Sequence, residues 1–207
     1  VATPVQSAVN VAPAGATVYV EKDTYTENVT INTSLTLAGL WQGNENPADR
    51  PTIEGTITIN AINVWLHGLV VDATGNAFGI IVNADNATIS NSQIENAGVG
   101  VAAATEANIH VDNADGVTID NNTIQESPLG DGVRLDNATN ATVTNNIIDK
   151  HGYSSLGPNF AGVMVINGDG NETIQNNNIT DNMIGVAEIG TPGGVTAEGN
   201  YFDGNDV

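Results

Sequence analysis

Several residue types are scarce in this 207-residue chain, and each shortage excludes a class of protein. Cysteine is absent, which rules out a disulfide framework and thiolate metal sites. Aromatic residues make up only 4% of the chain, too few for a globular core that is filled by rings. No run of about 18 apolar residues occurs, so the sequence predicts no helix that spans a membrane.

Basic residues are the scarcest charged group. Lysine and arginine together number 4, whereas aspartate and glutamate number 24, and the net charge is −20. Such a surface repels a phosphate backbone, so nucleic acid is excluded as a partner. Hydrated carboxylates stay soluble where salt screens their mutual repulsion, and the composition therefore favours an acidic, halophilic, secreted protein.

What the chain does contain is an internal repeat. Segments of similar pattern begin at Leu66, Ile89, Ile119, Val143, Ile174 and Ala197, with spacings of 23, 30, 24, 31 and 23 residues. The short spacings define one coil, and the long spacings are the same coil with an inserted loop. The repeat predicts an all-β solenoid, a parallel β-helix of about seven three-strand coils.

The fourth position of each segment predicts a polar row inside the solenoid. It is asparagine in four successive segments: Asn122, Asn146, Asn177 and Asn200. A buried asparagine can adopt a left-handed conformation and hydrogen-bond the equivalent residue one coil away. Stacked at the strand spacing of about 4.8 Å, these side chains are expected to form a ladder.

Each coil also has an earlier strand, which opens with glycine at Gly79, Gly132, Gly162 and Gly185. Alternation along a strand turns one residue in two outward. The outward residues predicted for this first strand are Tyr19, Thr58, Ile81, Ala102, Arg134, Met164 and Ala187. Those of the second strand form a threonine row, in which Trp65 is an interruption: Thr30, Thr88, Thr118, Thr142, Thr173 and Thr196.

The two ends of the chain differ. Thr3-Pro4-Val5-Gln6 has the pattern of a capping box with proline at the first helical position, so a short helix is expected to cover the first coil. Residues 203–207 show no comparable cap. We therefore expect one β-helix domain over residues 1–207. We further expect that it continues beyond the C-terminus, belongs to a larger surface protein or associates with other copies through this end.

Several motifs carry a resemblance to a known family. They are Gln6-Ser-Ala-Val-Asn-Val-Ala-Pro-Ala-Gly-Ala-Thr-Val-Tyr-Val, Tyr25-Thr-Glu-Asn-Val-Thr-Ile, Val117-Thr-Ile-Asp-Asn-Asn-Thr-Ile and Thr142-Val-Thr-Asn-Asn-Ile-Ile. The chain resembles the pectate-lyase-like superfamily of right-handed parallel β-helices, especially its Asn-rich, short-repeat surface proteins. The resemblance covers essentially the whole chain and implies that fold. It implies no single activity, because the fold hosts lyases, esterases, epimerases, adhesins and inert scaffolds.

The resemblance also implies where a catalytic site would lie. Enzymes of the superfamily act on the outer face of the first strand, below a preceding loop, which here means Arg134 and the loop expected at residues 150–160. Arg134 or Lys150 would neutralise a uronate carboxylate, while Lys150, His151 or Tyr153 would transfer protons in β-elimination or epimerisation. An alternative interpretation is that Arg134 and Lys150 only form ion pairs with neighbouring carboxylates, namely Asp131, Asp136 and Asp149.

The outward positions depart from the enzymes of the superfamily. They lack the calcium-holding carboxylate cluster of pectate lyases, the Asp pair of pectin methylesterases, the three carboxylates of polygalacturonases and the Asp-Pro-His motif of alginate epimerases. The three histidines have no metal-ligand spacing, so no metal centre is predicted. Calcium remains a candidate ligand of loop carboxylates such as Asp112, Asp115 and Asp120.

Two further sets of surface residues are candidates. Tyr19, Trp41 and Met164 are candidate carbohydrate contacts. Asn86, Asn137, Asn140 and Asn171 begin glycosylation sequons in turns expected to be exposed, although the repeat itself tends to spell Asn-X-Thr.

These features favour a non-catalytic extracellular module. We expect a scaffold or adhesin-like segment of a cell-surface or surface-layer protein, with polysaccharide or cell-envelope components as partners. A polysaccharide lyase or epimerase acting on uronates is the first alternative. A subunit that assembles end to end into a filament is the second.

Overall fold

The computed structural model describes residues 3–40, 49–98, 105–152, 160–190 and 194–206. It begins with a helix, α1 (Pro4–Val11), and continues in short strands. The first eight are β1 (Thr17–Val20), β2 (Thr24–Tyr25), β3 (Val29–Ile31), β4 (Thr36–Gly39), β5 (Thr52–Glu54), β6 (Ile57–Ile59), β7 (Trp65–His67) and β8 (Val70–Asp72). The next eight are β9 (Phe78–Val82), β10 (Thr88–Ser90), β11 (Gln93–Glu95), β12 (Ala107–Asp112), β13 (Thr118–Asp120), β14 (Thr123–Ser127), β15 (Asp131–Asp136) and β16 (Thr142–Thr144). The last seven are β17 (Ile147–His151), β18 (Ala161–Ile166), β19 (Thr173–Gln175), β20 (Asn178–Thr180), β21 (Ile184–Ile189), β22 (Thr196–Glu198) and β23 (Tyr201–Asp203).

The strands form three parallel sheets that run along the solenoid. Sheet I contains β3, β6, β9, β12, β15, β18 and β21; sheet II contains β1, β4, β7, β10, β13, β16, β19 and β22; sheet III contains β2, β5, β8, β11, β14, β17, β20 and β23. Each strand pairs with the strand three places further along the chain, so the backbone passes through each sheet once per coil. The predicted all-β, right-handed parallel β-helix is therefore confirmed.

The core is built from rows of aliphatic side chains that face inward at matching positions of successive coils. On sheet III, Ile94, Ile124 and Ile148 are in register and fully buried. On sheet II, Leu66, Ile89 and Ile119 form an equivalent row. Each such side chain stabilises the fold by roughly 1.5–3 kcal/mol relative to an exposed one, and the narrow interior needs few aromatic rings.

The asparagine ladder is also confirmed. Asn122, Asn146 and Asn177 each donate from Nδ2 to Oδ1 of the next ladder residue, the last of which is Asn200, at 3.0–3.1 Å. One detail differs from the expectation, because the left-handed residue of each turn is the one before the ladder asparagine. Asn121, for example, has φ 55°. The exposed residue therefore makes the bend, and the buried asparagine is free to bond along the axis.

A second polar row, which the sequence analysis missed, lies five residues further along each coil. Asn182 donates from its backbone N–H and from Nδ2 to Oδ1 of Asn205, and its own Oδ1 accepts from the backbone N–H of His151. This row marks the corner between sheets III and I. It satisfies backbone groups that would otherwise be buried without a partner.

Helix α1 covers the start of the solenoid, as predicted, but its capping differs. Thr3 makes no side-chain capping bond. Instead, the two carboxylate oxygens of Glu27 accept from the backbone N–H groups of Val5 and Gln6, at 3.0 and 2.9 Å. The Gln6 amide in turn bonds both the N–H and the C=O of Thr30, on the edge strand β3. The side chain thus takes the place of a neighbouring strand and protects this edge.

Two strand assignments in the sequence analysis were wrong. Tyr19 lies in β1 of sheet II, and Thr30 lies in β3 of sheet I, so the first coil had been read out of phase by one strand. The strand that neighbours Arg134 is β12, which places His110 in the row where Ala102 had been expected. Ala102 itself lies outside the described residues.

In the described ranges, no helix has the length and apolar character that a membrane span requires.

Candidate functional site

Arg134 lies at the centre of a polar network on the outer face of sheet I. In register with it are His110 on one side and Met164 on the other. Its Nη1 is 3.2 Å from Asp131 Oδ2, and its Nε is 2.8 Å from Asp136 Oδ2. His110 Nε2 lies 2.9 Å from the same Asp136 oxygen. The ion pairs of the alternative interpretation are therefore present.

Burial controls the electrostatics of this network. Asp131 is fully buried, and burial raises its pKa to about 7, against the opposing effect of the Ala161 N–H and of Arg134. Burial also acts to raise the pKa of Asp136, but hydrogen bonds from His110 and Arg134 outweigh it, and this pKa is lowered. Asp136 Oδ1 is buried and has no hydrogen-bond partner among the described residues.

Lys150 and His151 do not join Arg134. Both had been expected in a loop over residues 150–160, and this location is wrong, because they are the last two residues of β17. Lys150 is half-exposed at the corner, where its Nζ pairs with Asp149 Oδ2 at 2.8 Å, and the hydrogen bond that it donates to Asp149 raises the lysine pKa.

His151 is enclosed in the solenoid. It has no exposed surface, and its Nε2 bonds the Ile124 carbonyl at 3.1 Å. A Cβ added to Gly132 would lie 2.9 Å from His151 Cδ2, so the ring packs directly against the backbone of β15. Burial lowers the pKa of His151 to about 4. A ring in this position cannot reach a polysaccharide; the fourth predicted residue, Tyr153, lies outside the described residues.

The candidate carbohydrate contacts do not share a face. Tyr19 is 64% exposed on sheet II, whereas Met164 is only 5% exposed and lies on sheet I. Trp41 is outside the described residues. The expectation that Tyr19 and Met164 belong to one outward row is therefore wrong.

Sheet II instead presents Trp65, which had been read as an interruption of the threonine row. Pairing confirms that row from Thr88 to Thr196, but the residue that precedes Trp65 in it is Thr36 and not Thr30. The indole is 44% exposed. Its Nε1 donates to Ser90 Oγ at 2.8 Å, and its ring lies 5.1 Å from the His67 ring at an angle of 54°. The aromatic surface is thus held in one orientation and faces solvent.

A polar groove of about 260 Å³ lies along the corner between sheets II and III. We call it the corner groove and define it by Arg50, Asn91, Asn121, Asn145 and Ile147. Asn91 Nδ2 lies 3.3 Å from His67 Nδ1, and Asn121 Nδ2 bonds Asn91 Oδ1. His67 thus contacts both the indole and the first asparagine of the groove. Nothing in the spacing of the repeat indicated that Arg50 would lie here.

Comparison with protein families decides the classification. The model of the family described as "Right handed beta helix region" matches residues 10–207, nearly the whole chain. The chain belongs to the right-handed β-helix family. None of the curated proteins matches the sequence.

Two solved structures align with most of the chain, one of an epimerase module and one of a methylesterase. The A-module of the Azotobacter vinelandii mannuronan C-5 epimerase AlgE4 aligns over 89% of this chain and 53% of its own length, with a TM-score of 0.62 and 15% identity. The chain thus spans about half of that module. The deglycosylated pectin methylesterase of Aspergillus niger aligns over 88% of this chain and 61% of its own, with a TM-score of 0.42 and 16% identity. At 15% identity, the likeness to the epimerase module concerns the fold alone.

The predicted sequons occupy exposed turns of this β-helix. Asn86, Asn137, Asn140 and Asn171 are all exposed, as expected. Asn140 Nδ2 bonds Asp115 Oδ1, and Asn171 Nδ2 bonds Asp169 Oδ2. Glycosylation at these positions stays a prediction.

The candidate calcium ligands belong to separate hydrogen-bond networks. Asp115 accepts from Thr139 and Asn140, and Asp120 accepts from Thr144 and Asn145. Across the part of the chain that the structure describes, no group of three or more His, Asp or Glu side chains is placed to hold a metal ion.

Proposed function

We propose that this β-helix is a non-catalytic extracellular module that contacts polysaccharide, within a cell-surface or surface-layer protein. The pairing of Arg134 with Asp131 and Asp136 carries the proposal. A guanidinium that is already held between two carboxylates offers little electrostatic stabilisation to the charge that develops on a uronate. Lys150 is paired with Asp149, and His151 is enclosed.

The exposed aromatic surface of sheet II supports contact with sugars. Trp65 is held by Ser90 and His67, so a ligand that packs on it costs little side-chain entropy. The similar fold of a mannuronan epimerase module is compatible with a polysaccharide partner, and the argument rests on the residues of this chain.

The direct test is binding without turnover. The purified chain is mixed with insoluble polysaccharides and with cell-envelope preparations, at low and at multimolar salt, and the bound fraction is measured after centrifugation. We expect the chain to sediment with at least one preparation. In control mixtures with soluble polysaccharide, the polymer length should stay unchanged. Absence of binding to every preparation would overturn the proposal.

A second candidate is uronate chemistry on the outer face of sheet I, as a lyase or epimerase. It is favoured by the cluster of Asp131, Arg134, Asp136 and His110, in which one carboxyl group has a pKa of about 7 and could exchange a proton near neutrality. Absorbance of the unsaturated uronate is measured on pectate, alginate and glycosaminoglycans with calcium present. A rise that Arg134→Ala abolishes would establish the lyase.

A further inference from the structure

We infer that the corner groove and the adjoining indole of Trp65 form a binding site for a neutral polysaccharide chain. The inference rests on the proposed function and assigns it a location and a ligand class. The site runs along the solenoid axis from Arg50 towards Ile147, with Trp65 at its side.

The aromatic part of the site is preorganised. Trp65 lies at the first position of β7, and its neighbours in register are Thr36 and Thr88, which are shorter. The ring therefore stands above its row and offers a flat apolar face. The C–H-rich face of a pyranose ring packs on such a surface, and the indole N–H, already bonded to Ser90, makes no further demand on the ligand.

The polar part of the site is a row of amides. Asn91, Asn121 and Asn145 occupy equivalent left-handed positions, with φ of 49°, 55° and 56°, and therefore repeat at the strand spacing of about 4.8 Å. Asn145 Nδ2 bonds Asp120 Oδ1 at 2.7 Å, which fixes its orientation. An amide has two donor hydrogens and a carbonyl oxygen with two lone pairs, so each retains capacity for ligand hydroxyl groups.

The charge around the site selects the ligand class. Asp120 lies beside the amide row, and Asp49 pairs with Lys22 next to Arg50. Arg50 is a cation in the lining of the groove, but the chain as a whole has a net charge of −20, so a long polyuronate is repelled over most of its length. Burial and then the charge of Arg50 lower the pKa of His67, which lies between the indole and the groove. Aromatic rings and amides therefore favour an uncharged, hydroxyl-rich chain.

The test is affinity electrophoresis in native gels that contain galactomannan, glucomannan, a mixed-linkage β-glucan, alginate or pectate. The wild-type chain is expected to be retarded by at least one neutral polymer. Trp65→Ala should weaken that binding by about tenfold or more, and Asn121→Ala should weaken it less. Trp65→Phe, which keeps a flat ring, should restore part of the affinity. Ile189→Ala is the control, because Ile189 is a large apolar side chain that is 55% exposed on sheet I, which does not border the groove, and the variant should leave binding unchanged.

The outcomes separate this inference from the proposed function. The inference would be overturned if only alginate or pectate retarded the chain. It would also be overturned if Trp65→Ala left the binding of a neutral polymer unchanged. The proposed function would stand in both cases. Absence of retardation in every gel would also overturn the inference, and the centrifugation assay with insoluble polysaccharides and cell envelopes then decides the proposed function. Thermal unfolding of each variant is measured in parallel, and Trp65 is exposed, so the fold should persist.

Discussion

Nδ2 of Asn146 donates a hydrogen bond of 3.0 Å to Oδ1 of Asn177, the equivalent residue one coil further along the solenoid. Oδ1 of Asn146 accepts from the backbone N–H and the side chain of Asn122, one coil back. Each ladder residue therefore satisfies groups on both sides. This linkage between coils explains how a chain without disulfides keeps a regular stack.

Loss of one ladder residue should destabilise the whole stack. We expect Asn146→Ala to lower the free energy of unfolding by about 1–3 kcal/mol, because buried donors of Asn122 lose their acceptor. Urea denaturation measures the change. Asn178→Ala, on the exposed side of β20, is the control and should alter stability by less than about 0.5 kcal/mol. Equal losses in the two variants would mean that the ladder contributes nothing specific.

The network on sheet I should behave as a structural unit. Arg134→Ala leaves the buried Asp131 carboxyl group and Asp136 without their cation, and we expect a loss of roughly 3–5 kcal/mol in urea denaturation. Lys150→Ala removes an exposed ion pair with Asp149 and should change stability little. An Arg134→Ala protein as stable as the wild type would argue that the network serves a ligand instead.

Stability should depend on pH through His151. Burial lowers its folded-state pKa to about 4, below the ordinary value of 6.5, so the unfolded chain binds the proton first as the pH falls. The contribution of the neutral ring is therefore present above pH 6.5 and is lost as the pH falls towards 4, at about 1.4 kcal/mol per pH unit.

The variant His151→Gln isolates this effect, because glutamine does not titrate and its amide can still donate to the Ile124 carbonyl. We expect the difference in unfolding free energy between wild type and variant to shrink as the pH falls from about 7.5 towards about 4, because this range covers the unfolded-state pKa of 6.5 and reaches the folded-state pKa of about 4. Taking the difference removes the contribution of Asp131, whose raised pKa has the opposite slope in part of this range. A difference independent of pH would show that His151 is solvated.

The cap on α1 should depend on Glu27 and not on Thr3. Glu27→Ala removes the acceptor of the Val5 and Gln6 N–H groups, and we expect a local loss of about 1 kcal/mol. Amide hydrogen exchange over residues 4–11 should then accelerate, whereas exchange in the central coils should not. Thr3→Ala is the control, since Thr3 makes no side-chain capping bond. Faster exchange in Thr3→Ala alone would instead support the predicted capping box, with Thr3 as the N-cap.

The sequence predicted those features that repeat. Inward aliphatic positions and the ladder at Asn146 recur in successive coils, and a recurring position has the same environment each time. The phase of the first coil was missed, because alternation along a strand shows which side faces inward but not which sheet the strand joins. Tyr19 was placed on sheet I for this reason.

The candidate site depended on contacts that no repeat encodes. His110 was missed beside Arg134 because the repeat spacing lengthens to 30 residues between Ile89 and Ile119, and the apolar run at residues 100–103 had the sequence pattern of a strand. Glu27 caps α1 from a distant part of the sequence, and Arg50 lies beside Asn91, which is also distant in sequence. Such contacts follow from the stacking of coils and leave no local pattern.

The measurement that tests the non-catalytic polysaccharide contact most directly is a proton NMR spectrum of soluble polysaccharide before and after incubation with the chain. One spectrum detects elimination, epimerisation and loss of ester groups, and line broadening reports binding. We predict that the polymer signals broaden in the presence of the protein. Once the protein is removed, the spectrum should match the one recorded before incubation. New anomeric or unsaturated signals that Arg134→Ala abolishes would contradict the account.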